Sequence, residues 1–286
     1  MYITKEKERT MEKYKEIERS IIKKFRKSIW NNFCGAINEY ELIKEGDKIA
    51  VCISGGKDSF IMAKCLQELH RHSIVPFELE FIVMDPGYNP ENRALIEANA
   101  ALMNIPIKIF DSDIFDIVVN AGGAPCYLCA RMRRGFLYAK AKELGCNKIA
   151  LGHHFDDMIE TLLLNMTYAS EIKTMLPKLK STNFDGMELI RPLYKVKEKD
   201  IINWSKYNEL RFLQCACKFT AESEHHEEMS KRKEIKRLIA DIKKINPAID
   251  DNLFRSVHNV NLASIVGWRD SDSGDKHSYI EKYDEM

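Results

Sequence analysis

The chain has 286 residues, 45% of them hydrophobic and 30% charged, with a net charge of only +1. That length holds one large domain or two small ones, the composition excludes global disorder, and the balanced charge points neither toward nor away from nucleic acid. No stretch approaches a membrane span and the charged N-terminus lacks an apolar signal core; a cytoplasmic protein is expected, whose eight cysteines serve metal binding or catalysis rather than disulfides.

Residues 1–40 form a helical, basic N-terminal arm. Within residues 1–30, ten Lys/Arg stand against five Asp/Glu, and Ile17, Ile21, Phe25 and Ile29 recur every four residues. The arm reads either as a phosphate-contacting element or as a solvated helix face. Residues 41–196 alternate strands and helices. Strands are predicted at Lys48–Ile53, Leu79–Met84, Ile105–Phe110 and Lys148–Leu151, with helices at Ser59–His70, Asn92–Met103, Arg131–Leu144 and Asp156–Tyr168. This alternation predicts an α/β fold, a doubly wound parallel sheet. Residues 197–268 turn helical (Lys197–Tyr207, Glu227–Ile245) and read as an extension packed on the sheet domain. Residues 269–286, polar and acidic, are expected to be disordered.

Ser54-Gly55-Gly56-Lys57-Asp58-Ser59 falls between the first strand and its helix, where ligands bind in such sheets. Glycines admit an anion close to the backbone, the helix N-terminus offers free N–H groups, and Lys57 adds a charge. It is not a Walker loop, because its glycines are adjacent and Asp58 separates Lys57 from Ser59. Asp58 is out of place in a pure anion site and suggests a metal or an N–H nearby. His153, His154, Asp156 and Asp157 follow the fourth strand; a carboxylate there suits Mg²⁺ or a base, Asp156 is equally placed to cap its helix, and the two histidines read as structural.

Cys126-Tyr-Leu-Cys129 precedes a predicted helix, and Cys215-Ala-Cys217 lies 86 residues beyond Cys129. Two separated clusters point to a metal: four thiolates suit zinc, while three leave one iron of a 4Fe–4S cluster open. Cys34, Cys52, Cys65 and Cys146 read as core. Arg131, Arg133 and Arg134 bring positive charge beside the cysteine pair, as a phosphate-holding group or as a solvated face.

SGGKDS after a strand resembles the PP-loop (N-type) ATP pyrophosphatases. The ordered series CYLCARMRRG, LGHHFDDMIETLLLNM, IRPL and CAC, with the entry EYELIKEGDKIAVCISGGKDS, closely resembles the tRNA 2-thiocytidine synthetase (TtcA-type) family over roughly residues 15–240. The resemblance implies ATP on Ser54–Ser59 with Mg²⁺, adenosine against backbone around Met84 and Gly152 with Asp85 close by, and the pair Asp156–Asp157 near the ATP. Lys57, Asp58, Asp156 and Asp157 would carry the chemistry. It implies a cluster on Cys126, Cys129 and a third cysteine, and tRNA across Arg131, Arg133 and Arg134. Where the family has C-x2-C or a single Cys at the third site, this chain has C-x-C; the run Cys217-Lys218-Phe219-Thr220 favours Cys217, with Cys215 the alternative. The implied activity is ATP-dependent thiolation of a cytidine at C2, position 32 of tRNA, with a cysteine desulfurase or thiol pool as sulfur source and a homodimer as a plausible assembly. A thiouridine synthetase, a lysidine-type ligase, a thioamide-forming enzyme of small molecules and a non-catalytic zinc- or nucleotide-binding PP-loop protein are the competing readings.

Overall fold

The computed structural model describes residues 13–114, 125–213, 226–270 and 273–283. They divide into two compact units, up to Lys236 and from Arg237 onward. The first is built on a six-stranded sheet of β1 (Lys48–Ile53), β2 (Glu78–Asp85), β3 (Ile107–Asp111), β4 (Lys148–Ala150), β5 (Lys178–Lys180) and β6 (Glu188–Ile190), in the order β3-β2-β1-β4-β6-β5. All neighbours run parallel except β5 against β6. The continuous apolar run of β1 follows from burial on both faces: Ile49, Ala50 and Val51 are completely covered. The three-residue β5 and β6 (Lys-Leu-Lys and Glu-Leu-Ile) are too short to carry a periodic signal, and the sequence alone did not mark them.

The helices are α1 (Asn31–Glu39), α2 (Lys57–His72), α3 (Pro90–Leu102), α4 (Pro125–Glu143), α5 (Phe155–Leu164), α6 (Glu198–Tyr207) and α7 (His226–Ile245). α4 begins six residues before the predicted Arg131, so the cysteine pair lies in its first turns rather than ahead of it; Pro125 suits a first helical position, where no N–H is required. α5 gives way to a π turn at Asn165–Ala169. α6 belongs to the first unit, with Trp204 completely buried.

The N-terminal segment holds to a four-residue period. Ile17, Ile21, Phe25, Ile29 and Phe33 are all buried. In an α-helix a four-residue spacing drifts by about 40° per step, which would carry Phe33 far around from Ile17. Two π turns, Ser20–Lys24 and Arg26–Trp30, take up the drift, with Phe25 N–H donating to Ser20 O and Trp30 N–H to Phe25 O, five residues back. The buried face is tied to α2 through Glu18, which accepts from Lys64 Nζ at 2.6 Å and from Arg71 at 2.7 Å. Lys64 is fully buried, and its other hydrogen-bond partners are Gln67 and the Met103 carbonyl.

The second unit contains the end of α7, α8 (Ile249–Ser256) and a hairpin of β7 (Gly267–Arg269) and β8 (Lys276–Ser278), followed by α9 (Tyr279–Tyr283). The tail expected to be disordered thus carries structure in its described residues. Trp268 stacks on His277, and the His277 ring bridges Asp270 and Glu281. These pairings give a short polar segment local contacts that its composition does not reveal.

Glu18→Ala leaves the Lys64 ammonium buried without a carboxylate. It is expected to destabilise the protein by about 2–4 kcal/mol, measured by urea unfolding; a loss under about 0.5 kcal/mol would mean that Gln67 and the Met103 carbonyl suffice.

Candidate functional site

The chain reverses its direction of sheet growth at β1: β2 and β3 add on one side, β4 and β6 on the other. The crevice beyond the carboxyl ends of β1 and β4 is therefore the switch point at which such sheets bind ligands. It holds a cavity of about 380 Å³ lined by the end of β1 and its loop (Ser54, Asp58, Ser59), Met84 of β2, Gly152, His153 and Asp157 after β4, and Arg133 and Arg134 of α4.

The phosphate loop is held from within. Ser59 Oγ donates to Gly56 O at 2.8 Å and accepts from Ser54 N–H at 3.2 Å. Gly55 has φ +86°, a conformation that favours glycine, and its carbonyl accepts from Leu213 N–H at 3.1 Å. Gly56 precedes the first turn of α2, whose free N–H groups face the crevice end of the sheet. Across the crevice, a Cβ on Gly152 would lie 3.0 Å from Ser59 N and 3.1 Å from Asp58 C, so the strand end can approach the helix start this closely only as glycine.

Lys57 Nζ is ion-paired with Asp58 Oδ2 at 3.2 Å and with Glu198 Oε1 at 3.0 Å. Burial works to lower the Lys57 ammonium, but the two carboxylates outweigh it and raise its pKa. Glu198 is a carboxylate at the loop that sequence reasoning missed; it lies 141 residues from Lys57 with no motif around it. Burial acts to raise its pKa, yet the hydrogen bond and charge of Lys57, with Lys236, hold it at about 2.

The acidic pair after β4 is largely committed. α5 is capped by His154, not by Asp156: His154 Nδ1 accepts from Asp157 N–H, and Asp157 Oδ2 accepts from His154 N–H at 3.0 Å. With Nδ1 accepting, a neutral His154 carries its proton on Nε2, which lies 3.9 Å from Asp58 Oδ1. Asp157 Oδ1 pairs with Arg232 at 2.7 Å, and burial, which would raise Asp157, is outweighed by His154 and Arg232. Asp156 Oδ2 accepts from the Glu198 N–H at 2.6 Å, at the start of α6. It caps a helix, as one reading of the sequence had it, but the helix is a different one.

Two buried polar atoms on the cavity have no hydrogen-bond partner among the described residues: Asp58 Oδ1 and His153 Nδ1. Burial raises the Asp58 carboxyl and pushes the His153 imidazole down to about 4. Unpartnered groups of this kind are costly without a ligand. Asp58 Oδ1, an anionic oxygen beside a phosphate loop, fits a divalent cation; neither oxygen of Asp157 is similarly open.

Asp85 is buried, and its carboxylate holds the turn after β2, accepting from Gly87 and Tyr88 N–H and from Arg93. It lies next to the cavity-lining Met84 without lining the cavity itself. Arg133 and the exposed Arg134 line the cavity; Arg131, also exposed, does not. Cys126 and Cys129 sit one turn apart in α4, and the backbone places them on one helix face; Cys215 and Cys217 lie outside the described residues. Cys52, Cys65 and Cys146 are buried free thiols and Cys34 a half-buried one, all with pKa values raised by burial, as expected of core.

Gly152→Ala forces a methyl group onto the backbone of Asp58 and Ser59. It is expected to cost about 1–3 kcal/mol of stability and to weaken ATP binding at least tenfold; unchanged binding by calorimetry would show that the close approach is dispensable. Glu198 has its unfolded pKa at 4.5 and its folded value at about 2, so its stabilisation is complete above 4.5 and is lost as pH falls through 2. Glu198→Gln should therefore lower stability by about 1–2 kcal/mol at pH 7, with the gap to the wild type narrowing as urea titrations move below pH 4.5. A gap independent of pH would refute the pairing.

Residues 18–222 match the model of the PP-loop domain family. The chain is 35% identical over 237 residues to a tRNA-cytidine(32) 2-sulfurtransferase of Geobacter sulfurreducens, covering 82% of this chain and 90% of the relative. It is 38% identical over 250 residues to the protein of the same name in Vibrio campbellii, covering 85% and 80%. The fold is similar to that of the U34-tRNA thiolase NcsA from Methanococcus maripaludis, solved with its 4Fe–4S cluster, at TM-score 0.63 and 22% identity over 83% of this chain and 80% of that one. The chain belongs to the PP-loop domain family and, within it, to the tRNA-cytidine(32) 2-sulfurtransferase family.

Proposed function

We propose that the protein replaces the C2 oxygen of a cytidine in tRNA with sulfur at the expense of ATP. The observation that carries this reading is that one helix, α4, joins two chemistries: its first turns hold Cys126 and Cys129, and Arg133 and Arg134, one to two turns on, line the nucleotide cavity. At about 1.5 Å rise per residue, Cys129 and Arg133 lie about 6 Å apart along the axis. Activation and sulfur delivery at one carbon need such proximity.

The residues divide the work as follows. The Gly55–Gly56 backbone, Ser54, Ser59 and the start of α2 hold the β- and γ-phosphates. Lys57, released from Glu198 by a stronger anion, compensates their charge. Asp58 Oδ1 holds Mg²⁺. Met84 and Gly152 flank the adenosine. His153, neutral through its burial, turns its unpartnered Nδ1 to the bound nucleotide as a hydrogen-bond donor to the α-phosphoryl group. The C2 oxygen of the base attacks the α-phosphorus and pyrophosphate leaves. Sulfur then adds at C2 as the C2–O bond breaks and AMP departs, its charge met by Arg133 and Arg134. Asp156 and Asp157 act by position: the first fixes α6 and thereby Glu198, the second fixes α5 and Arg232.

Thiolates at Cys126, Cys129 and Cys217, or Cys215 in its place, suit a 4Fe–4S cluster, which supplies when bound an iron site free to carry sulfide. Zinc would require a fourth ligand and would leave no such site. The sulfur comes from a cysteine desulfurase or another sulfide donor, and a homodimer is compatible with the reading. Among the described residues no helix is long and apolar enough to cross a membrane.

Anaerobically purified protein should contain about four irons and four sulfides per chain, with a broad absorption band typical of cysteine-ligated clusters. Lys57→Ala should keep that band while losing tRNA-dependent pyrophosphate release by at least a hundredfold. Cys126→Ala or Cys129→Ala should lose the band and the 2-thiocytidine detected by nucleoside mass spectrometry, yet keep ATP binding. One zinc and no iron, or full thiolation by either cysteine variant, would sink the sulfur-carrier reading.

A further inference from the structure

The two π turns that keep the apolar stripe of the N-terminal segment in register have a second effect. Lys15, Arg19, Lys23 and Lys27 are also spaced by four, two residues out of step with the buried set. A helix phased to bury Ile17, Ile21, Phe25 and Ile29 in one line places these four cations in another line, about half a turn away. All four are exposed, and none is ion-paired among the described residues. Residues 13–30 hold seven cations and two acids, and one of those acids, Glu18, is spent inward on Lys64 and Arg71.

A row of this kind opposes the stability of its own helix. Like charges four apart repel by about 0.2–0.5 kcal/mol per pair, and a solvated face ordinarily interleaves acids. The segment's apolar stripe is consumed by the core, so no apolar face remains to enter a lipid surface. What the row offers is regularly spaced positive charge, over about 18 Å at about 1.5 Å per residue. This is the footprint of a phosphate backbone.

The row also leads somewhere. Lys24 lies 3.6 Å from the ring centroid of the exposed Tyr207, at the end of α6. Ile202 and Ser205 of the same helix line a cleft of about 800 Å³ that opens on Gly56, Lys57 and Asp58. Arg211 lines the same cleft. Lys24 and Tyr207 thus set the row beside α6, and Arg211 adds a cation in the cleft that the same helix lines.

We propose that Lys15, Arg19, Lys23 and Lys27 form the docking surface for the phosphate backbone of the RNA substrate, guiding it past Tyr207 toward the cleft beside Lys57. The proposal rests on the tRNA reading above. It is a backbone contact and carries no sequence information of its own.

The test compares the wild-type chain, loaded with its cluster, with the variant K15E/R19E/K23E/K27E. Binding of an unmodified tRNA transcript is followed by fluorescence anisotropy across a salt series, and binding of a non-hydrolysable ATP analogue by calorimetry. The expected result is a loss of tRNA affinity of at least thirtyfold for the charge reversal. The dependence of log K on log salt should be shallower by about one per lost contact, three to four in all, with analogue affinity and circular dichroism unchanged. The neutral variant K15Q/R19Q/K23Q/K27Q should show the same change of salt slope with a smaller loss of affinity, which separates lost contacts from added repulsion. Unchanged affinity and slope in both variants would make the row a solvated face and overturn the proposal. So would wild-type binding to anionic lipid vesicles that the variants lose while keeping tRNA. A wild-type chain that binds the ATP analogue but no tRNA would instead overturn the tRNA reading itself, and this surface with it.

Discussion

The site depends on how closely the end of β4 approaches the first turn of α2. At Gly152, just past β4, an added Cβ would fall 3.0 Å from Ser59 N and 3.1 Å from Asp58 C. That contact leaves no room for a side chain, and it fixes the floor of the cavity between the two halves of the sheet. The switch in strand order opens the crevice; the glycine narrows it until one loop, one strand end and one helix face converge on a nucleotide-sized space. His153 borders the cavity because it is the residue immediately after that contact, and Arg133 and Arg134 line it from α4.

Charge then organises the rim. Lys57 pairs with Glu198, Glu198 with Lys236, Lys236 with Glu160, Glu160 with Arg232, and Arg232 with Asp157. The chain of pairs runs from the phosphate loop through α6, the start of α7 and α5 and back to the cavity. Glu160 and Asp157 are largely removed from water, so each needs its cation; removing one partner would strand the other. On the proposed function, an arriving triphosphate competes with Glu198 for Lys57. The network thus joins the loop to Arg232 and Lys236 of α7.

Much of this was legible in the sequence, for physical reasons that also explain what was not. β1 announced itself because burial on both faces demands unbroken apolar residues, and the phosphate loop because adjacent glycines between a strand and a helix have few other uses. The four-residue apolar period of the N-terminal segment was visible too, but not its consequence: an α-helix cannot keep that period on one face, and only the π turns show how the conflict is resolved. Asp156 and Asp157 read as a pair in sequence and act apart in space, one on α6 and one on Arg232, because their roles are set by residues 42 and 75 positions away. Glu198 and Arg232 carried no local signal for the same reason. β5 and β6 escaped because three residues cannot show a period.

The proposed function gives α4 two tasks, the cysteine pair in its first turns and the cavity-lining Arg133 and Arg134 beyond them. Transfer of sulfur to a ring carbon requires that the oxygen first become a leaving group and that the sulfur arrive before water does. Both conditions are distances. A helix is a stiff ruler, and α4 carries the cysteine pair in its first turns while Leu128, Met132 and Phe136 pack against the cluster of Met84 and Ile114. Met84 is the last β2 residue on the cavity wall. On the proposed function, the packing that seats the helix on the sheet sets how far residues 126 and 129 stand along α4 from the nucleotide cavity. A change in that apolar seat, remote from any reacting atom, would alter the encounter of sulfur with carbon as directly as a change in the cysteines.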